Sequence, residues 1–230
     1  PGGLFSVAPS GGVYYVNIAN ALTLTANEYT TAAGDDANSG LTPDAPKASI
    51  QSILSDPIYH FRPGDIILVD TGSYTLTTNL NITSQHAGVT IKGAINHESL
   101  INRANTNAGQ YVVQLSTTDV TVESLALTGG QWGVYVGDSG GHRFNIANND
   151  IRGNSSGGVY VGSGVTDGVI SGNTVHDNSG SYGIEVYNAA RTVVSGNQVY
   201  ASTYGIYAYL PGSVWADRIV VSDNRLHDNT

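Results

Sequence analysis

The chain has no cysteine in 230 residues. That excludes a disulfide framework, a thiol nucleophile and a thiolate metal centre, and leaves the redox compartment open. Methionine is absent too, so Pro1 is not a translation start and the chain is expected to be a processed form or an excerpt. Positive charge is scarce, with 9 Lys and Arg against 18 Asp and Glu for a net charge of −9. Nucleic acid is disfavoured, because its binding rests on phosphate neutralisation by cations. Unaided binding of polyanionic sugars is disfavoured more weakly, since an acidic surface repels them. Charged residues make up 12%, about half the usual share. This is no disorder signal, because 40% of residues are hydrophobic and regularly spaced. No apolar run approaches the roughly 18 residues of a membrane helix, so no membrane span is expected, and no signal peptide is visible.

What the chain does have is glycine, 29 residues, near twice the usual roughly 7%, and a repeated phrase. Between Gly133 and Asn229 one pattern is written four times, opening on Gly133, Gly158, Gly183 and Gly205, each followed by Val134, Val159, Ile184 or Ile206. Each copy later reaches Asn149, Asn173, Asn197 or Asn224, and two positions on an apolar Ile151, Val175, Val199 or Leu226. The openings lie 25, 25 and 22 residues apart and the asparagines 24, 24 and 27. A near-fixed period in this range, carried by short alternating strands, signals a solenoid of β-coils.

Upstream, residues 1–12 read as a Gly- and Pro-rich leader, flexible or docking, with Leu4, Phe5 and Val7 as a small apolar patch. Residues 13–44 read as a strand over Val13 to Leu24 and a polar loop. In that loop Asp35, Asp36 and Asn38, with the Leu41 carbonyl, are weak candidates for a Ca²⁺ site. Turn chemistry explains the same cluster better. Residues 46–55 predict a helix with Pro46 at its first position, Lys47 within it, and Ile50, Ile53 and Leu54 on one apolar face. It suits a cap, which the first coil of a solenoid requires. Residues 61–230 then form about six coils of 22–27 residues, so residues 13–230 make one all-β, right-handed parallel β-helix with a short capping helix. In the coil before the repeats Leu125 occupies the slot where later coils carry Asn.

The runs YYVN, GDDANSGLTPDAPKASIQSIL and RPGDIILVDTGSYTL resemble the N-terminal region of right-handed parallel β-helix proteins of the pectate-lyase-like superfamily. With the repeats, the resemblance covers nearly the whole chain from Tyr14. It implies the fold, an extracellular or cell-surface location, and a polysaccharide partner. Lyases of that superfamily commonly pair a Lys or Arg base with Ca²⁺. Here Lys47 and Lys92 lie in the cap and an early coil, and Arg143, Arg152, Arg191, Arg218 and Arg225 read as occupying non-equivalent slots. Hydrolases of the fold carry paired aspartates, and no such pair occurs in the coils. Uronan epimerases carry Tyr-Gly-x-Asp-Pro-His, of which Tyr182 to Asn188 (YGIEVYN) keeps the Tyr-Gly and an acid, Glu185, but not the Pro-His.

Three groups of residues invite chemistry. Asn149, Asn173, Asn197 and Asn224 read as a structural ladder, because Asn at a sharp bend tolerates the left-handed conformation and stacked amides hydrogen-bond along the row. In the opening strand the flanking apolar residues point inward, so Tyr135, Tyr160, Glu185 and Tyr207 face solvent, with Tyr187 and Tyr209 two positions on. Stacked tyrosines with one carboxylate suit the apolar faces and hydroxyls of sugar rings, although Tyr also favours β-surfaces for packing alone. His176-Asp177-Asn178 and His227-Asp228-Asn229 read as shared turn chemistry, since adjacent residues at a strand end rarely face each other.

The expectation is a non-catalytic β-helix segment of a larger secreted or surface protein, with Glu185 the best single catalytic candidate if it is an enzyme. The alternatives are a polysaccharide lyase or uronan epimerase, and a subunit stacking end to end into filaments. The last rests on a final coil that ends at Thr230 with no visible cap, an edge on which further copies can add. No cofactor is required by any motif.

Overall fold

The computed structural model describes residues 11–19, 27–137, 140–211 and 218–230. The leader residues Leu4, Phe5 and Val7 and the distal part of the expected first strand lie outside the described residues. Every strand pair is parallel, and the strands sort into three sheets of eight, seven and six strands. The chain visits them in turn. Ile66–Val69 enters the eight-stranded sheet, Gly72–Thr75 the seven-stranded sheet and Leu80–Ile82 the six-stranded sheet, and Thr90–Gly93 returns to the first one coil higher. This is the parallel β-helix the repeat implies, with six turns through its shortest sheet.

The strand at the base of the eight-stranded sheet is Val13–Val16, shorter than the expected Val13 to Leu24. The helix is likewise shorter than expected, spanning Ile50–Ser55. Its N-cap is Ser49, whose hydroxyl accepts from the Ser52 N–H. Pro46 and Lys47 precede it, and Lys47 forms a bridge with Val16 instead of joining the helix. Capping by a side-chain oxygen decides the start here more strongly than the proline does. Ile50, Ile53 and Leu54 are buried, as an apolar face covering the first coil requires.

Inside the coils, alternate strand residues fill one continuous core. Val134, Val136, Val159, Val161, Ile184 and Val186 are fully buried from the six-stranded sheet. The glycine preceding each pair is steric in origin. A Cβ on Gly158 would lie 2.3 Å from Val175 Cγ1, so only glycine lets these walls meet.

The bend between the eight- and seven-stranded sheets holds the asparagine row. Asn149 donates from both its backbone and side-chain nitrogens to Asn173 Oδ1, at 2.9 and 3.0 Å. Asn173 does the same to Asn197, and Asn197 to Asn224, all at 2.9 Å. Asn149 Oδ1 in turn accepts from the Leu125 N–H at 3.0 Å, below which no amide continues the row. The left-handed residue is not the ladder Asn itself, as the bend chemistry led us to expect. It is the residue before, with φ of 54° at Asn148, 66° at Gly172, 64° at Gly196 and 56° at Asp223. That residue turns the chain, which leaves the Asn amide free to point inward.

A second row, not apparent from the first, lines the bend into the six-stranded sheet. Asn154 donates from its backbone and side-chain nitrogens to Asn178 Oδ1, at 3.1 and 3.0 Å, and the Ser202 N–H donates to Asn229 Oδ1 at 3.2 Å. Ser202 occupies the slot where its neighbours carry Asn. Its hydroxyl is buried and has no partner among the described residues.

Two substitutions test this reading by thermal or urea unfolding. Asn173→Ala removes the acceptor of two buried N–H groups and is expected to cost about 2–3 kcal/mol. Ser202→Asn completes the second row and is expected to stabilise the chain by about 1 kcal/mol.

Candidate functional site: an aromatic face on the six-stranded sheet

The outward side chains of the six-stranded sheet align by strand register into columns. One column reads Gln114, Tyr135, Tyr160, Glu185, Tyr207, and a parallel one reads Trp132, Gly157, Tyr182, Tyr204. Tyr187 pairs with Tyr209 at the strand ends. The expected outward residues therefore share one face. Tyr135 and Tyr160 stack at 4.9 Å with planes 13° apart, and Tyr187 and Tyr209 at 5.6 Å. Tyr207 lies 6.4 Å from Tyr209.

The face is wider than the repeat alone reveals. Tyr111, which precedes its strand, stacks on Tyr135 at 4.1 Å and 2°. Tyr182 stacks on Tyr204 at 5.4 Å and lies 5.2 Å from Tyr207. The Trp132 indole lies 5.4 Å from the Tyr160 ring. It reaches that position across Gly157, where a Cβ would come within 2.2 Å of Trp132 Cζ3. Trp132, Tyr182 and Tyr204 share the parity of the inward Val134, Ile184 and Ile206, so period-2 alternation does not find them; Trp132 is buried, Tyr182 half-buried and Tyr204 exposed.

Glu185 takes the place of a tyrosine in the longer column, between Tyr160 and Tyr207. No hydrogen bond or ion pair reaches its carboxyl among the described residues, and burial pushes its pKa up from the ordinary carboxylate range. The Tyr182 hydroxyl is pushed up as well, by burial first and by the Glu185 charge second. The strands of this sheet contain no Lys, Arg or His.

The remaining candidates lie elsewhere. Asn149, Asn173, Asn197 and Asn224 are at an interior bend, and the first three are fully buried, away from this face. In the N-terminal loop Asp36 Oδ1 accepts from the Ala48 and Ser49 N–H groups and the Ser52 hydroxyl. Asp35 accepts from the Ala37 N–H and Asn38 donates to the Pro46 carbonyl. These three residues tie the loop to the cap, and the described residues contain no His, Cys, Asp and Glu cluster suited to a metal.

Two sequence expectations need correcting. His176 and Asp177 do face each other, with Nδ1 2.6 Å from Asp177 Oδ2, and His227 and Asp228 repeat this at 2.8 Å. The left-handed backbone at Asp177 and Asp228, φ 50° and 52°, swings each carboxylate back beside the preceding ring. These rings form a column on the seven-stranded sheet, His176, Tyr200 and His227, each 4.8 Å from the next. The arginines are not all in different slots either. Arg143 and Arg191 each lie two residues before paired strands of the eight-stranded sheet, alternating with Asp119 and Asp167. Arg143 clamps Asp119 at 2.7 Å through two nitrogens, and Arg191 clamps Asp167 at 2.7 and 3.0 Å.

The raised Glu185 carboxyl has a consequence for stability. The folded chain holds this proton more tightly than the unfolded chain, so stability falls as pH rises from the unfolded value through the folded one. Glu185→Gln is therefore expected to raise the melting temperature at pH 7 by roughly 1–2 °C. The gain is expected to shrink as pH falls and to vanish below the ordinary carboxylate range, where the glutamate is neutral in both folded and unfolded chains.

Comparison with known proteins agrees with this architecture. A family model described as "Right handed beta helix region" matches residues 110–230. Among solved structures, an alginate lyase from Paenibacillus sp. str. FPU-7 superposes with a TM-score of 0.52 at 16% identity, covering 78% of this chain and 72% of that one. The pectate lyase Pel9A superposes with a TM-score of 0.55 at 15% identity, covering 94% of this chain and 62% of that one. At these identities the likeness is one of fold. No curated protein matches. With more than half of its length matched, three parallel sheets and stacked corner amides, this chain belongs to the right-handed β-helix family.

Proposed function

We propose that this β-helix binds polysaccharide through the aromatic face of its six-stranded sheet and does not cleave it, as part of an extracellular or cell-surface protein. The observation that carries the reading is the run of stacked rings from Tyr111 through Tyr135 to Tyr160, continued by tyrosines on both sides of Glu185. Tyr135, Tyr160 and Tyr207 of the longer column come from successive coils in register, so that column runs along the solenoid axis. A polysaccharide is a linear array of rings with apolar C–H faces and hydroxyl edges. The stacked tyrosines cover one another's faces and offer a sugar their apolar ring edges and hydroxyls, which suit its C–H groups and hydroxyls. Tyr187, Tyr204 and Tyr209 are exposed and the other tyrosines of the face half-buried, and exposed aromatic patches mark interaction sites.

The chemistry on the face supports binding over cleavage. Glycoside hydrolysis in most families needs two carboxyl groups flanking one bond, and the strands of this sheet carry one, Glu185. Proton abstraction from a uronate needs a base with a cation to neutralise the carboxylate, and no Lys, Arg or His lies on those strands. That the alginate and pectate lyases share the fold supports a polysaccharide as the class of partner.

The test is calorimetric titration against a panel of neutral, acidic and amino-sugar oligosaccharides, with chromatography of the mixtures for products. Binding without product is expected. Tyr160→Ala is expected to weaken it at least tenfold, about 1.4 kcal/mol, while Tyr160→Phe keeps most of it. Absence of binding to every glycan overturns the reading, and release of unsaturated uronate establishes a lyase instead.

A further inference from the structure

The charge on the aromatic face says which sugar fits. We propose that the Glu185 position is a subsite for a protonated amino sugar, so that the face takes a glycan bearing 2-amino-2-deoxyhexose units in preference to a polyuronate. This inference rests on the aromatic face being a glycan site and names the class of glycan.

Three observations lead there. Glu185 sits in register between Tyr160 and Tyr207, with Tyr182 and Tyr187 on its own strand, so four tyrosines frame one carboxylate. An ammonium group is attracted both by ring faces and by a carboxylate, and a tyrosine frame around an acid supplies the two together. Second, the carboxyl is partly buried with no donor to it among the described residues, and burial alone raises its pKa. A carboxylate in that state is stabilised by any cation that arrives, whereas a neutral hydroxyl compensates it only in part. Third, all nine Lys and Arg lie off the strands of this sheet, and the whole chain carries −9. Lys92 is engaged by Glu123 on the eight-stranded sheet, and Arg152 by Asp150 on the seven-stranded sheet. A uronate laid along the tyrosines therefore meets Glu185 as a like charge and finds no cation on the sheet to offset it.

The shared chemistry of the subsite is an ammonium group, which an amino sugar or a lysine-rich peptide can supply. The ring array beside it favours the sugar, because partly exposed Tyr135 and Tyr160 on one side of Glu185 and exposed Tyr204 and Tyr209 on the other make a row of ring edges and hydroxyls that a chain of sugar rings spans.

The experiment titrates the chain, near pH 6 where amines are charged, with four probes: a glucosamine hexamer, its N-acetylated twin, an oligogalacturonate and oligolysine. The glucosamine hexamer is expected to bind about tenfold tighter than the acetylated twin, with oligogalacturonate and oligolysine weakest. Glu185→Gln is expected to erase the difference between the two hexamers while leaving the acetylated one unchanged. Equal or tighter binding of the acetylated or uronate oligomer by the wild-type chain overturns the inference while leaving the aromatic face as a glycan site. So does an amine preference that survives in Glu185→Gln with its circular dichroism intact. Oligolysine binding as tightly as the hexamer overturns the choice of a sugar, and failure of every oligosaccharide to bind removes the glycan site itself. The wild-type ranking needs no variant, so a folding defect cannot hide the answer.

Discussion

Everything in this chain depends on coils keeping register with the coil below. Each strand pairs only with its counterparts one turn away, so the backbone groups of one coil are satisfied by its neighbours. The two corner rows of amides make that register specific. In each row an Asn oxygen accepts two N–H groups of the coil below, which locks the height and the rotation of the turn together. A slip by one residue would present these buried donors to apolar side chains, and it would turn every inward valine outward. Stability is then a sum of nearest-neighbour terms along the rod, and the outward side chains take little part in it.

Register has a second effect, because it brings equivalent outward positions about 4.8 Å apart whether or not their chemistry suits. Rings accept this readily, hence the tyrosine columns on one sheet and His176, Tyr200 and His227 on another. Charges of one sign do not. The corner column before the eight-stranded sheet resolves the difficulty by alternation, Asp119, Arg143, Asp167, Arg191, each with a left-handed backbone. On the six-stranded sheet the single acid is resolved by dilution, with tyrosine above and below it.

The fold was legible because the solenoid writes itself in sequence at a fixed period, and the buried Val and Ile positions follow from alternation. The first asparagine row was legible for the same reason. The second was not, since Ser202 interrupts it and Asn178 and Asn229 stand inside His-Asp-Asn phrases that draw the eye to their ionisable residues. Helix and strand ends near the N-terminus were read too long. Capping at Ser49, and not residue propensity, fixes the first helical turn. The outward Tyr135, Tyr160, Glu185 and Tyr207 were readable from the repeat, but Tyr111 and Trp132 were not. Their place on the face depends on ring packing and on the missing side chain at Gly157, which only three-dimensional contact reveals.

The separation between scaffold and face explains why such a fold hosts different polysaccharide chemistries without changing its core. Inward positions and corner amides answer only to register, while outward positions can be rewritten one coil at a time. A linear glycan laid along the axis crosses the strands, so each coil supplies one contact and affinity accumulates along the rod as stability does. The same geometry makes specificity local. In this chain most positions along the outward columns are aromatic, or glycine that makes room for an aromatic ring, and such positions suit a sugar ring without regard to its substituents. Glu185 is the one ionisable side chain of acidic or basic type on those strands, so under the proposed reading selection among glycans would rest on a single carboxylate held in register between tyrosines.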